Sequence, residues 1–271
     1  MTSRRSGRGT RGAGVVTLVA AALLFAGCRA QLQGGGAPSP GGDPSTATGA
    51  AAAGGGERGG DFGVSPLTNT DGTKRGLAPL TSAGDRKAGL AVIDKVATKG
   101  RGPKTGYDRD EFGYAWMDSA SGVPDAHNGC DTRDDVLKRD GDDVKYRSGS
   151  DCVLSSMTLH DPYTGKTIDW RKTKATVVQI DHVMPLSYDW QMGAAHWTKA
   201  KREQIANDPL NLIPVDGSMN ESKSDSGPAS WLPPNTSIRC SYAVRFAQVS
   251  LKYELPVTTA DKSAMARQCG G

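Results

Sequence analysis

The sequence predicts an α+β fold, one helix-rich domain over residues 80–271 built round two short strands and a following helix. Three observations carry that prediction. Residues 176–183 are β-branched and apolar, the strongest strand signal in the chain. Residues 210–215, directly after the turn-forming Asp208-Pro209, read as a second short strand. Ser218-Met219-Asn220-Glu221 then has the form of a capping box, which predicts a helix with Asn220 in its first turn.

The other elements follow in chain order. Residues 1–27 read as an export signal. Arg4, Arg5, Arg8 and Arg11 precede an apolar run from about 13 to 26 that is too short for a membrane span. Phe25-Ala26-Gly27-Cys28 resembles a bacterial lipobox, which predicts a lipid on Cys28 after cleavage; secretion without an anchor is the alternative. Residues 28–79 read as a low-complexity, disordered tether. It is densest in Gly, Ala, Pro, Ser and Thr over 31–65 and lacks the large apolar residues that offset chain ordering.

From residue 80 the composition is globular and long enough for one core. Leu90, Ile93 and Ala97 have helical spacing, with Lys99-Gly100 and Pro103 as a stop. Phe112 and Trp116, four apart, predict a short helix or an aromatic anchor over 107–118. Residues 132–139 read as a helix with Val136 and Leu137 facing inward. Asp161-Pro162-Tyr163-Thr164-Gly165 is a turn that opens a hairpin-like stretch reaching Trp170. Trp190, Ala194, Trp197 and Ile205 predict one helix ended by Asp208-Pro209. Ile238, Tyr242, Phe246, Val249 and Tyr253 form an apolar stripe on a long helix, and a last helix covers 259–268.

The net charge of +4 comes from the export segment. Removing its four arginines from the 33 basic residues leaves 29, matched by 29 acidic ones. A chain of balanced charge has no global attraction for nucleic acid, so any phosphate affinity is local. Arg171, Lys172 and Lys174, and Lys199, Lys201 and Arg202, are candidate clusters, equally readable as solvated surface. Beyond Cys28 the cysteines are Cys130, Cys152, Cys240 and Cys269. An even number in an exported chain predicts two disulfides, with the sequence-local pairs Cys130–Cys152 and Cys240–Cys269 favoured among three pairings. The rival, a zinc site of four thiolates, has no CxxC spacing to support it.

Ile180-Asp181-His182-Val183, Asn211-Leu212 and Asn220-Glu221-Ser222-Lys223-Ser224-Asp225 supply the parts for cutting a phosphodiester bond. That chemistry needs an activated water, neutralisation of phosphate charge and help for the departing oxygen. His182 is a candidate general base. Asp181 offers a hard anionic oxygen and the Asn220 side-chain carbonyl a neutral one. With phosphate oxygens and waters, two such ligands suffice for one Mg2+ ion or another divalent cation such as Mn2+. Asn211 belongs to the catalytic set, either holding the loop between strand and helix or orienting the histidine ring. Lys223 is the cation expected to face the substrate phosphate, and Asp225 fixes the loop or pairs with Lys223. The helix start at Asn220 adds partial positive charge for a phosphate. Strand alternation puts Asp181 and His182 on opposite faces, so both reach one phosphate only if the chain bends before Pro185. His127, His160 and His196 have no spacing partner for a metal and read as structural or surface residues.

Asp181-His182-Val183-x-Pro185-Leu186, Asn207-Asp208-Pro209-x-Asn211-Leu212 and Asn220-x-x-Lys223-x-Asp225-x-x-Pro228-x-x-Trp231-Leu232-Pro233-Pro234 resemble the secreted actinobacterial HNH endonuclease family proteins. These are ββα-metal, or His-Me finger, nucleases related to the C-terminal HNH domain of modification-dependent restriction enzymes. Tyr107-x-Arg109-x-x-Phe112-x-x-x-Trp116, Gly129-Cys130-Asp131-Thr132-Arg133-x-x-Val136-Leu137 and Asp161-Pro162-Tyr163-Thr164-Gly165 are similar to that group as well, so the resemblance runs from about residue 87 to the C-terminus. It implies a ββα-metal core, His182 as base, and Asp181 and Asn220 as metal ligands. Asn220 stands where HNH proteins often carry a histidine. Arg133 is implied as a phosphate contact, although an ion pair with Asp134 or Asp135 explains it equally.

The reading that follows is an exported, metal-dependent endonuclease acting on DNA, with RNA as a further substrate. Its partner is nucleic acid; a membrane enters only through a lipid on Cys28, and no protein partner is expected. The alternative is a non-catalytic cell-surface nucleic-acid-binding lipoprotein on a degenerate nuclease scaffold, against which the intact Asp181, His182 and Asn220 stand. No Gly-x-Ser-x-Gly elbow or zinc-protease motif points to another hydrolase.

Overall fold

Residues 62–271 are described by a computed structural model. The predicted export segment, Cys28 and the predicted tether up to residue 61 lie outside the described residues. The elements are α1 (Ala83–Ile93), α2 (Thr132–Asp140), β1 (Asp142–Tyr146), β2 (Leu154–His160), β3 (Thr167–Arg171) and β4 (Val178–His182). They continue with α3 (Leu186–Met192), α4 (Lys199–Asn207), β5 (Leu212–Asp216), α5 (Gly217–Lys223), α6 (Arg239–Tyr253) and α7 (Thr259–Gln268). Two small antiparallel sheets, β1-β2-β3 and β4-β5, sit among the helices, an α+β arrangement.

Two apolar clusters hold the elements together. The larger gathers the stripe of α6 (Tyr242, Phe246, Val249, Tyr253) with Ile93 of α1, Tyr188 of α3 and Met265 of α7. The smaller joins Val136 and Leu137 of α2 to Leu154, Met157 and Leu159 of β2 and Trp170 of β3. The β4-β5 hairpin lies between them. Val178, Ile180 and Leu212 enter the smaller cluster, while Ile213 and Val215 enter the larger. This strand pair is buried on both faces, and Val178, Ile180, Leu212, Ile213 and Val215 make both strands legible despite the polar residues between them. In its register, Asp181 lies opposite Ile213 and His182 opposite Leu212.

Several boundaries differ from the sequence prediction. The helix expected through Ala97 ends at Ile93. The single helix expected from Trp190 to Ile205 is two, α3 and α4, because Gly193 takes φ 148°, a backbone state that residues with a Cβ rarely adopt. Thr198 then caps α4 by accepting from Lys201 N–H. Phe112 ends a short 3-10 turn over Arg109–Phe112 and packs its ring against Tyr107 and Trp190 at 6.3 and 6.4 Å, so it serves as an aromatic anchor. β1 and β2 lie in a stretch given no element from sequence. Residues 62–79, assigned to the tether, reach into the fold: Leu77 is fully buried with Leu67 packed against the same cluster, and Arg75 pairs with Asp142. The domain therefore begins well before residue 80.

Both favoured disulfides are present. Cys130–Cys152 ties the chain entering α2 to the start of β2, and Cys240–Cys269 joins the first turn of α6 to the end of α7.

Candidate active site

A cleft of about 470 Å³ is lined by Gln179, Asp181 and His182 of β4, Asn220 of α5 and Arg133 of α2. Lys104, Tyr107, Arg109 and Trp116, from the irregular connection between α1 and α2, complete the other side. Asp181 and His182, neighbours on opposite faces of a strand, both reach it. β4 pairs only with β5, so its other edge carries no strand, and His182 is its last residue. Pro185 then turns the chain into α3, also along the cleft.

The imidazole of His182 is fixed by its surroundings. Nε2 lies 2.9 Å from the Ala206 carbonyl, which can only accept, so Nε2 carries the hydrogen and Nδ1 keeps its lone pair. Trp116 stacks parallel to the ring, with centroids 6.0 Å apart and planes within 10°. Burial, reinforced by the positive charge of Arg109, pushes the His182 pKa down to about 3. The ring is neutral, and its Nδ1 carries no proton.

Asp181 is held from beneath the cleft. Its Oδ1 accepts from Lys223 Nζ at 2.8 Å and its Oδ2 from the Tyr163 hydroxyl at 2.5 Å. Burial raises its pKa, with Lys223 and the Tyr163 hydroxyl pulling the other way. Lys223 is itself fully buried and spends a second N–H on the His182 carbonyl at 2.8 Å. Its expected role facing a substrate phosphate is thus corrected: its ammonium is consumed by Asp181 and the strand backbone. Asp225 pairs with Lys104 at 2.9 Å rather than with Lys223.

Asn220 donates from Nδ2 to Gln179 Oε1 at 2.8 Å, and Gln179 Nε2 donates to Glu221 Oε1 at 2.9 Å. This clamp leaves Asn220 Oδ1 without a hydrogen bond among the described residues. Asn220 lies in the middle of α5, because Asp216, not Ser218, caps the helix by accepting from Met219 N–H. The Asp216 carboxylate already occupies the start of α5, and residues 217–219 do not line the cleft. Asn211 is fully buried. Its Oδ1 accepts from Met184 N–H at 2.8 Å and its Nδ2 donates to the Met184 and Ile205 carbonyls at 3.2 and 3.3 Å. It holds the loop after β4, the first of the two roles expected of it, and makes no hydrogen bond to the histidine ring.

The cations of the cleft are Arg133, Lys104 and Arg109. Arg133 donates to the Val178 carbonyl at 3.2 Å and forms no ion pair with Asp134 or Asp135. Arg109 has neither an ion pair nor a hydrogen bond among the described residues. None of the six clustered cations proposed from sequence lines the cleft: Arg202 pairs with Glu111, Lys201 sits over Trp197, and Arg171 belongs to the three-stranded sheet. Sequence reasoning missed Gln179, Tyr163, Trp116 and Lys104. The signal for Gln179 was its place two residues before Asp181, on the same strand face.

Among the described residues, no three His, Cys, Asp or Glu side chains group as a metal site. A cation here would have Asp181 and the Asn220 carbonyl as protein ligands. Each Asp181 oxygen accepts one hydrogen bond and keeps a lone pair, Asn220 Oδ1 is uncommitted, and the buried carboxylate gains from an added positive charge. That donor set fits a hard divalent ion that keeps several waters.

Comparison with known proteins gives first a class, a restriction endonuclease domain, and then a family. Residues 131–268 match the family described as GmrSD restriction endonucleases, C-terminal domain. The chain belongs to that family. A protein of Arthroderma benhamiae, described as an "uncharacterized secreted protein", is 42% identical over 176 residues, covering 64% of this chain and 79% of the other. No solved structure matches the chain.

Proposed function

We propose that this chain is an exported, metal-dependent endonuclease of the HNH type, with β4, β5 and α5 as its ββα core. The observation that carries the proposal is a neutral His182, its Nε2–H tied to Ala206 and its Nδ1 free, lining the same cleft as Asp181 and Asn220. His182 Nδ1 takes a proton from the water that attacks phosphorus, and the P–O bond to the departing sugar oxygen breaks. Arg133 and Arg109 neutralise the non-bridging oxygens. Lys223, Tyr163 and Gln179 hold the two oxygen donors in place. Asp181 and Asn220 would hold a Mg2+ ion, which would supply Lewis-acid stabilisation of the phosphate and the departing oxygen. Two disulfides, the arginine-led apolar N-terminus and a relative whose name calls it secreted support export. A lipid on Cys28 would anchor the mature protein, and mass spectrometry of its N-terminus reads this directly.

Purified mature protein is expected to degrade plasmid DNA with Mg2+ and to stop when EDTA is added. Undiminished cutting in EDTA would remove the metal from the account. Tight DNA binding without cleavage under any divalent ion would move it to the non-catalytic alternative.

A further inference from the structure

A second recess adjoins the cleft and shares Arg109, Trp116, His182 and Leu186 with it. Its remaining walls include Phe112 and Tyr114 beside Asp110, so aromatic side chains make up a larger share of its lining than of the cleft's. Its volume of about 60 Å³ admits the edge of one planar ring but no length of sugar–phosphate.

Two features of its walls bear on what it could hold. Tyr114 is 65% exposed, more than any other large apolar side chain among the described residues. Its hydroxyl meets only Ser119 Oγ, 3.1 Å away on the same loop. Trp116 has φ 62°, a left-handed backbone that is costly for a bulky aromatic residue. That conformation lays the indole against His182 while leaving it partly exposed to both recesses. Strain that places an aromatic ring beside the proposed base, next to an open tyrosine, suits a ligand with a flat apolar face.

We propose that this recess is a nucleobase subsite. It stacks one unpaired base of the nucleotide adjoining the phosphate in the cleft, which makes single-stranded or locally unpaired nucleic acid the preferred substrate. This inference rests on the nuclease reading for the identity of the cleft's occupant. A phosphate at His182 and Arg109 brings its own base within reach of residues that line both recesses. Aromatic faces stack on every base, so the contact selects for an accessible base face and not for a sequence. In a duplex both faces of each base are covered by neighbours, and exposing one costs unstacking and unpairing.

The test is a binding measurement in EDTA, where cleavage does not intervene. Fluorescence anisotropy at one fixed salt concentration compares a labelled single strand of about 12 nucleotides with its duplex, for wild type, Tyr114→Phe and Tyr114→Ala. Wild type and Tyr114→Phe are expected to bind the single strand about tenfold more tightly than the duplex. Tyr114→Ala is expected to lose about tenfold on the single strand. Equal affinity for the two forms, or an alanine variant that matches phenylalanine, would overturn the subsite. Absence of Mg2+-dependent cleavage would instead overturn the nuclease reading and leave these binding results to judge the recess.

Discussion

The two sides of the cleft are built on opposite principles. One side is regular and buried: β4, β5 and α5 set Asp181, His182 and Asn220, and behind them lie a fully buried lysine, a tyrosine hydroxyl and a glutamine clamp. The other is an irregular chain from Lys99 to Asp131 with short turns, and it presents Lys104, Tyr107, Arg109 and Trp116. On the first side nearly every polar atom has a partner within the protein. On the second, Arg109 has none among the described residues, and Tyr114 stands in solvent. Groups that do chemistry need a rigid setting, whereas groups that receive a flexible polyanion must keep their bonding capacity free. The family match spans 131–268 and so covers the first side but little of the second.

This contrast predicts different failures. The largest effect belongs to Lys223→Met, which strands a buried carboxylate. Loss of one partner of a buried pair costs about 3–5 kcal/mol, so thermal or urea unfolding should show a grossly destabilised protein. A stable variant with weakened DNA binding would return Lys223 to the substrate side. Arg133→Ala should leave the melting temperature nearly unchanged. It should raise KM by roughly tenfold and lower the slope of log affinity against log salt by about 1.

A third effect is a pH dependence of stability. Burial holds His182 near 3 in the folded protein, well below the 6.5 of an unperturbed histidine. The unfolded chain therefore binds the extra proton first, and stability falls as pH drops from about 6.5 towards 3. His182→Gln should flatten that part of the profile in metal-free buffer. An unchanged profile would mean that the ring is more hydrated than the fold shows.

How much of this was legible in the sequence follows from where each interaction comes from. The long apolar stripe of α6, the helices over 132–140 and 259–268 and the sequence-local disulfides depend on local pattern and were readable. The break at Gly193 was not, because an apolar spacing that continues past a glycine does not reveal its φ. β1 was hidden by Asp142, Asp143 and Lys145, and β2 by the polar residues that dilute Leu154, Met157 and Leu159. At the site, Asp181, His182 and Asn220 were readable by residue type and order. Lys223 was misread because a lysine is ordinarily exposed, and only the folded chain puts it under Asp181. Trp116 and Tyr163 come from 66 and 18 residues upstream of the groups they touch, a distance that spacing rules do not span.

The most direct measurement is single-turnover cleavage of a labelled DNA in saturating Mg2+ by wild type and His182→Ala, with circular dichroism confirming the fold of both. With Nδ1 as the base, the alanine variant should be slower by about 10²–10⁴-fold while binding the DNA with similar affinity. An alanine variant that cuts at the wild-type rate would contradict the assignment of His182 and the chemistry built upon it.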